Sequence, residues 1–63
     1  MLNFRDVIDV DGTKHTLDID TAALGEMGDE QKTAVATFRE PTGEMIRIVL
    51  GRTSYRLLAG WIA

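Results

Sequence analysis

His15 is the side chain best suited to acid–base chemistry in this sequence, and it is the only histidine among 63 residues. Its unperturbed pKa lies close to neutral pH, where it can both accept and donate protons. In a hairpin closed at Asp11-Gly12, His15 is expected beside Ile8, with the carboxylate of Asp6 one diagonal step away. Catalysis would also need a nucleophile, a cleft and an oxyanion site. No motif supplies these groups, so we predict a partly packed histidine, no catalytic residue and no enzymatic activity.

Acidic residues are frequent in the first third of the chain and raise the question of a calcium site. The candidates are Asp9, Asp11, Asp18 and Asp20. The ligand spacing of a calcium-binding loop, with its terminal glutamate, is absent. Asp18 and Asp20 fall on one side of a strand, which is typical of a solvated face. The absence of cysteine and the single histidine argue against zinc. We therefore predict no metal site and no cofactor.

Charge is divided along the chain, although the net charge is only −3. Residues 1–30 hold eight acids and two bases, a net −6, whereas residues 31–63 hold two acids and five bases, a net +3. Such asymmetry is typical either of an electrostatic interaction surface or of two solvated faces of opposite sign. The acidic half could also mimic nucleic-acid phosphate on a basic partner. The arginines of the second half could contact phosphate, but the acidic net charge and the absence of a recognition helix or interleaved aromatics disfavour direct nucleic-acid binding.

Two β-hairpins are predicted to position these side chains. Residues 2–20 form the first, because Asp11-Gly12 is a strong signal for a two-residue turn. This turn pairs Asp9 with Lys14 and Arg5 with Asp18, two pairs of opposite charge. The other face of the hairpin is then apolar and contains Phe4, Ile8, Val10, Leu17 and Ile19. Asp6 and Val7 do not fit this alternation, and either a bulge near them or an edge position would reconcile them.

Residues 33–50 form the second predicted hairpin, and the segment 44–50 is the most strand-like of the chain. Pro41 and Gly43 suit a three-residue connection. A helix ending before Pro41 is the alternative for residues 29–40. The hairpin register pairs residues that share one apolar face: Phe38 with Ile46, Ala36 with Ile48, and Ala34 with Leu50. The opposite face, with Met45, Arg47 and Val49, is left only half accounted for.

Two helical segments complete the predicted fold. Residues 21–27 are expected to form a short helix that is capped by Asp20 or Thr21 and ended by Gly28. Residues 53–62 are expected to form a second helix, with a fifth strand after Gly51 as the alternative. The apolar stripe of that helix contains Leu57, Leu58, Trp61 and Ile62. The prediction is a single α+β domain, residues 1–63, with two hairpins joined by the short helix into one antiparallel sheet.

The small size of the chain favours a function in protein binding. The core of a 63-residue chain without disulfides provides only marginal stability. Binding to a second chain is the remaining means of stabilising the fold. We predict a non-enzymatic interaction module that binds another protein or itself, as a homo-oligomer, an assembly subunit or a small inhibitor. Trp, Tyr and Arg dominate binding hot spots. The predicted partner-binding residues are Arg47, Tyr55, Arg56, Leu58 and Trp61.

No signal peptide and no apolar run of about 20 residues is evident, so no membrane association is expected. The expected location is the cytoplasm of a bacterium or of a host infected by a phage.

A family resemblance offers an alternative function. A strand at Thr16–Asp20, a short helix at Ala22-Ala23-Leu24-Gly25, a turn at Gly28-Asp29 and a final hairpin follow one another over residues 14–52. This order resembles the AbrB-like swapped-hairpin regulators. The resemblance implies a dimeric DNA-binding regulator or antitoxin. The basic Gly-Arg and the Ile-Pro of that family's first strand, which would carry the DNA contact, are absent, and acids stand there instead.

Overall fold

The computed structural model describes residues 2–27, 30 and 32–62. The elements are, in chain order, β1 (Phe4–Ile8), β2 (Lys14–Leu24), β3 (Thr33–Arg39), β4 (Met45–Gly51) and α1 (Arg52–Ile62). The strands form one antiparallel sheet in the order β1-β2-β3-β4. An α+β fold with two sequential hairpins and a C-terminal helix is thereby confirmed, and the alternative of a fifth strand for residues 53–62 is wrong.

The first hairpin has a three-residue loop, Val10–Gly12, instead of the predicted two-residue turn. The N–H of Gly12 donates to the carbonyl of Asp9, and the N–H of Asp9 donates to the carbonyl of Thr13, each at 3.0 Å. Gly12 has a φ of 87°, the left-handed conformation that the last residue of such a loop adopts. The longer loop shifts the pairing by one residue, so that Lys14 lies opposite Ile8 and not opposite Asp9.

A one-residue shift exchanges the two faces of a strand. Val7 is buried and Asp6 is exposed, so the two residues that did not fit the predicted alternation now do. Phe4 and Ile8, predicted on the buried face, are instead exposed. The predicted pairing of Asp9 with Lys14 and of Arg5 with Asp18 is therefore wrong, because the loop holds one residue more than the Asp-Gly signal implied.

The predicted helix over residues 21–27 is also absent, because β2 continues to Leu24. The register between β2 and β3 jumps between Asp18 and Ala23, which marks a bulge. At this bulge the hydroxyl of Thr21 donates to the carbonyl of Asp18 at 2.8 Å and accepts the N–H of Arg39 at 2.9 Å. The residue expected to cap a helix thus bridges β2 to β3. The predicted helix end at Gly28 and the alternative helix start at Asp29 lie outside the described residues.

The second hairpin has the predicted register throughout. Phe38 lies opposite Ile46, and the remaining predicted pairs follow. Its loop repeats that of the first hairpin: the N–H of Gly43 donates to the carbonyl of Glu40 at 2.9 Å, and Gly43 has a φ of 95°. Pro41 in this loop therefore occupies the same position as Val10 in the first loop.

The core lies between the inner face of the sheet and α1, which contacts all four strands. Tyr55 and Trp61 are partly buried against this core. The largest fully buried side chains are Phe38, Leu17, Ile19, Leu50 and Leu58.

The sheet curls until its two ends meet at one point. The N–H of Val10, at the tip of the first hairpin, donates to the carbonyl of Val49 in β4 at 2.8 Å. The chain enters α1 three residues after Val49. Helix α1 therefore begins close to the tip of the first hairpin, and it also contacts β1.

Candidate partner-binding groove

The outer edge of β1 presents main-chain groups to the groove beside it. In the first hairpin, the N–H of Asp9 donates to the carbonyl of Thr13, just before β2, and the carbonyl of Asn3 accepts the N–H of Ile19 in β2. Main-chain groups of an antiparallel strand alternate in direction, so those of Phe4, Asp6 and Ile8 point away from β2. Val10 continues this alternate set and bonds to β4. Within the described ranges, β1 pairs with β2 alone, so its outer edge is open to a further strand.

Helix α1 forms the other wall of this space. We call it the β1–α1 groove, and it is lined by Asp6, Val7, Ile8, Ser54, Leu57, Leu58 and Trp61. The four helical residues recur at intervals of three and four, so they share one side of α1. The groove encloses about 70 Å³. Small-molecule sites measure roughly 300–1,000 Å³, so this volume suits a single aliphatic side chain and not a cofactor.

The groove has an apolar surface with one charged group. Val7 and Leu58 form its buried floor, whereas Ile8 is 43% exposed and Leu57 is 56% exposed. Asp6 carries the only charge among the lining residues, and its carboxylate accepts a hydrogen bond from the hydroxyl of Thr16 at 2.8 Å. An occupant would gain apolar burial at Ile8 and Leu57 and would meet a negative charge beside them.

A cation–π contact connects β1 to the last turn of α1. The guanidinium of Arg5 lies 4.9 Å from the centre of the Trp61 ring, within the range of a favourable interaction. This contact fixes the helix wall relative to the strand wall at one end of the groove.

The five predicted partner-binding residues are dispersed over the molecule. Leu58 and Trp61 line the groove, but Leu58 is only 1% exposed and serves as its floor. Tyr55 packs against the core. Arg56 is exposed on α1, and Arg47 is exposed on the outer face of the sheet, opposite Thr37.

The residues that sequence reasoning missed are Asp6, Ile8 and Leu57. Leu57 was one of the four apolar residues in the predicted stripe of α1. One narrow face of a helix does not bury all four, so the sequence indicated that at least one of them would be exposed. Ile8 was assigned to the core by the incorrect register. The sequence contains no signal for the open edge of β1, because that edge depends on which strands pair.

His15 has a different partner from the one predicted. Its Nε2 lies 2.8 Å from Oδ2 of Asp9, not beside Asp6. A carboxylate only accepts, so Nε2 donates this bond. Oδ1 of Asp9 also accepts the N–H groups of Asp11 and Thr13, each at 2.9 Å. The hydrogen bond from His15, followed by that from Thr13, lowers the pKa of the Asp9 carboxyl. This arrangement stabilises the loop of the first hairpin.

The acids do not assemble into a cluster. Asp18, predicted on a solvated face with Asp20, is only 2% exposed, and its Oδ1 accepts the N–H groups of Asn3 and Asp20 at 3.3 and 3.1 Å. In the part of the protein that the structure describes, no three His, Cys, Asp or Glu residues are placed to hold a metal ion.

Other surface features are less defined than the groove. The outer face of the sheet exposes the side chains of Val35, Met45 and Val49. A hollow of about 430 Å³ extends from Gly25 to Val35, and one of about 390 Å³ lies between Ile19 and Ile62. Both are more open to solvent than the β1–α1 groove.

The chain matches no family model, no curated protein and no solved structure. The segment Ala22-Ala23-Leu24, which carried the helix in the resemblance to AbrB-like regulators, belongs to β2. No described helix combines the length and apolarity needed to cross a membrane. Function is therefore inferred from the groove.

Proposed function

We propose that this chain is a non-enzymatic protein-interaction module that binds a partner protein in the β1–α1 groove. The observation that carries the proposal is the open main-chain edge of β1 flanked by the exposed side chains of Ile8 and Leu57. Proteins commonly cover or charge such edges, because they pair readily with other chains. Here the edge instead borders an apolar groove. An assembly subunit or a small inhibitor would each use such a surface.

The energetics of the groove favour a transient contact. Full burial of a Leu or Ile side chain is worth about 1.5–3 kcal/mol, and Ile8 and Leu57 are already about half buried. Main-chain hydrogen bonds at the edge would add about 0.5–1.5 kcal/mol each. Association costs at least about 4 kcal/mol in lost freedom of motion. The groove alone therefore supports weak binding, and tight binding would require further contacts.

A display experiment tests whether the groove is the binding surface. Random linear peptides displayed on phage would be selected on the immobilised chain and then measured against variants. We expect Leu57→Glu to weaken the selected peptides by at least about tenfold, since it places a charge in an apolar contact. Val35→Glu is the matched control, because it places the same charge on an aliphatic residue that is 43% exposed on the outer sheet face, outside the groove.

Unchanged thermal unfolding would establish that both variants are folded. Failure to select any peptide, or equal binding to Leu57→Glu and Val35→Glu, would contradict the proposal.

A second candidate function is DNA binding by a dimer, the activity that the AbrB resemblance implied. Its support is that Arg39 and Arg47 are both exposed on the outer sheet face. The net charge of −3 opposes it, because phosphate contact dominates DNA affinity. A gel shift with duplex DNA at low salt decides the question. Binding that is lost in Arg39→Ala/Arg47→Ala would support this function, and no shift would eliminate it.

A further inference from the structure

We infer that the groove takes an extended segment of a partner protein that adds as a strand to β1 and alternates aliphatic residues with lysine or arginine. This inference rests on the proposed function and names the chemistry of the partner. It follows from three features of the groove: the direction of the β1 main chain, the apolar contact between its walls, and the placement of charge around it.

The main chain of β1 specifies the conformation of the occupant. Phe4, Asp6 and Ile8 direct their outer N–H and carbonyl groups towards the space beside α1. A helix cannot pair with these groups, since its own main-chain groups are bonded internally. An extended segment can, and strand addition to an exposed edge is an established mode of peptide recognition.

The groove walls specify an aliphatic residue at alternate positions. Side chains of an added strand point alternately to the two faces of the sheet. The set on the face that packs on α1 would enter the space beside Leu57, above the floor formed by Val7 and Leu58. A volume of about 70 Å³ admits one aliphatic side chain at a time.

Charge placement specifies the remaining side chains. Asp6 is the only charged residue that lines the groove. Arg52 and Arg56 lie on the side of α1 opposite to Ser54, Leu57 and Trp61, because about 3.6 residues complete a turn. The guanidinium of Arg5 is directed to the Trp61 ring. Asp6 is therefore the charge that a strand added to β1 meets directly, and a lysine or arginine of the partner placed opposite Asp6 would pair with it.

A second copy of this chain is a poorer occupant. In an antiparallel pairing of β1 with β1 of a second copy, the register that engages Phe4, Asp6 and Ile8 places the two Asp6 side chains directly opposite each other. Like charges at directly opposed positions destabilise a strand pair. A basic segment removes this repulsion and replaces it with attraction.

The test uses synthetic capped heptapeptides and the full chain, followed by NMR titration. A peptide of alternating valine and lysine should bind with shifts at the amides of Asp6, Ile8 and Leu57. The matched peptide of alternating valine and glutamate should bind about tenfold more weakly, since attraction becomes repulsion. Asp6→Asn should weaken the lysine peptide by about threefold, the scale of an exposed ion pair, and should leave thermal unfolding unchanged.

Main-chain pairing is tested by N-methylation of the lysine peptide. Methylating one alternate set of amides should weaken binding by at least about tenfold, because that set faces β1. Methylating the other set should leave binding intact. A side-chain contact without strand addition would respond equally to both sets, and that result would overturn the inference.

The remaining outcomes separate the inference from the proposed function. If the glutamate peptide binds as well as the lysine peptide, or if neither binds although display yields peptides sensitive to Leu57→Glu, the inference is wrong and the proposed function stands. If sedimentation of the chain alone shows a dimer that the lysine peptide does not dissociate, the occupant is a second copy and the inference is overturned.

Discussion

Both carboxylate oxygens of Asp9 accept hydrogen bonds at the loop of the first hairpin. Oδ1 accepts the N–H groups of Asp11 and Thr13, and Oδ2 accepts the Nε2–H of His15. These bonds favour the ionised carboxylate, mainly through His15, and so lower its pKa in the folded state. A lowered folded pKa stabilises the fold above the unfolded pKa near 4. That contribution is lost as the pH falls through the folded pKa.

We therefore expect Asp9→Asn to be less stable than the native chain at neutral pH. The difference should shrink as the pH falls from about 4 towards 2, because the native carboxylate then takes up its proton. Urea unfolding at a series of pH values measures this. Asp11→Asn is the control, since Asp11 is exposed and contributes its main-chain N–H to the loop. Parallel stability curves for Asp9→Asn and the native chain across this range would contradict the assignment.

Gly25 marks a close approach between β2 and β3. Its N–H donates to the carbonyl of Val35 at 2.8 Å, and a Cβ at this position would lie 2.7 Å from the same oxygen. We expect Gly25→Ala to cost about 1–3 kcal/mol, the usual range for overpacking. Gly60→Ala should instead stabilise the fold by up to about 1 kcal/mol, because Gly60 lies in α1 with open space around it. Denaturant midpoints measure both, and an unchanged midpoint for Gly25→Ala would refute the steric argument.

The two hairpins differ in how far the sequence determined them. In the second, Pro41 and Gly43 select the loop, and three apolar pairs fit only one register, so the prediction was correct. In the first, Asp11-Gly12 suits a two-residue turn as well as the last positions of a three-residue loop. The bonds from Asp9 to the loop N–H groups favour the longer loop. That contribution depends on three-dimensional geometry, which a turn signal does not contain.

The segment after β2 shows tertiary contacts overriding local propensity. Ala22, Ala23 and Leu24 favour a helix, yet Ala23 and Leu24 pair with β3. The hydroxyl of Thr21 satisfies the N–H of Arg39, which the bulge would otherwise leave without a ladder partner. The need for a partner to the Arg39 N–H arises only when β3 lies beside β2. The local sequence does not show that pairing, so it predicted a helix.

Leu58 is the one fully buried side chain of helix α1, and this gives a prediction at the level of the element. Leu58 is fully buried against the sheet, whereas its neighbour Leu57 is largely exposed. We expect Leu58→Ala to lower the free energy of unfolding by about 2–5 kcal/mol. Leu57→Ala should change it by less than about 0.5 kcal/mol. Urea unfolding measures both, and equal losses would mean that α1 is rotated from the position described.

Across the whole molecule, the curl of the sheet creates the groove. Helix α1 borders β1 because β4 ends soon after its contact with the first hairpin. The sequence predicted α1 and both hairpins, but not that the first strand and the last element would lie side by side. Local patterns specify elements, whereas this juxtaposition arises from sheet curvature and from the bulge after Asp18.

Amide hydrogen exchange provides a test of the open edge. The amides of Arg5 and Val7 point towards β2 and should exchange slowly, whereas those of Asp6 and Ile8 point outwards and should exchange quickly. Val10 should be slower than Ile8, because it donates to Val49. Uniform protection along β1 in the isolated chain would mean that its outer edge is already paired.

The contact between Val10 and Val49 also has a kinetic consequence. Each hairpin ladder joins residues that are near in sequence, but this hydrogen bond joins the first loop to the fourth strand. Closing so long a stretch of chain carries an entropic cost that local pairing avoids. We expect both hairpins to form before the ends of the sheet meet.

Val10→Pro isolates this step. Val10 occupies the loop position that Pro41 holds in the second hairpin, so proline fits the loop while removing the N–H that reaches Val49. Loss of a bond worth about 0.5–1.5 kcal/mol should speed unfolding by roughly twofold to tenfold. The folding rate, measured by stopped flow, should stay unchanged. A lower folding rate would instead mean that this contact is already formed in the transition state. If folding is not slowed, this contact is the last to form and the first to open, so the tip of the first hairpin separates from β4 before either hairpin ladder opens.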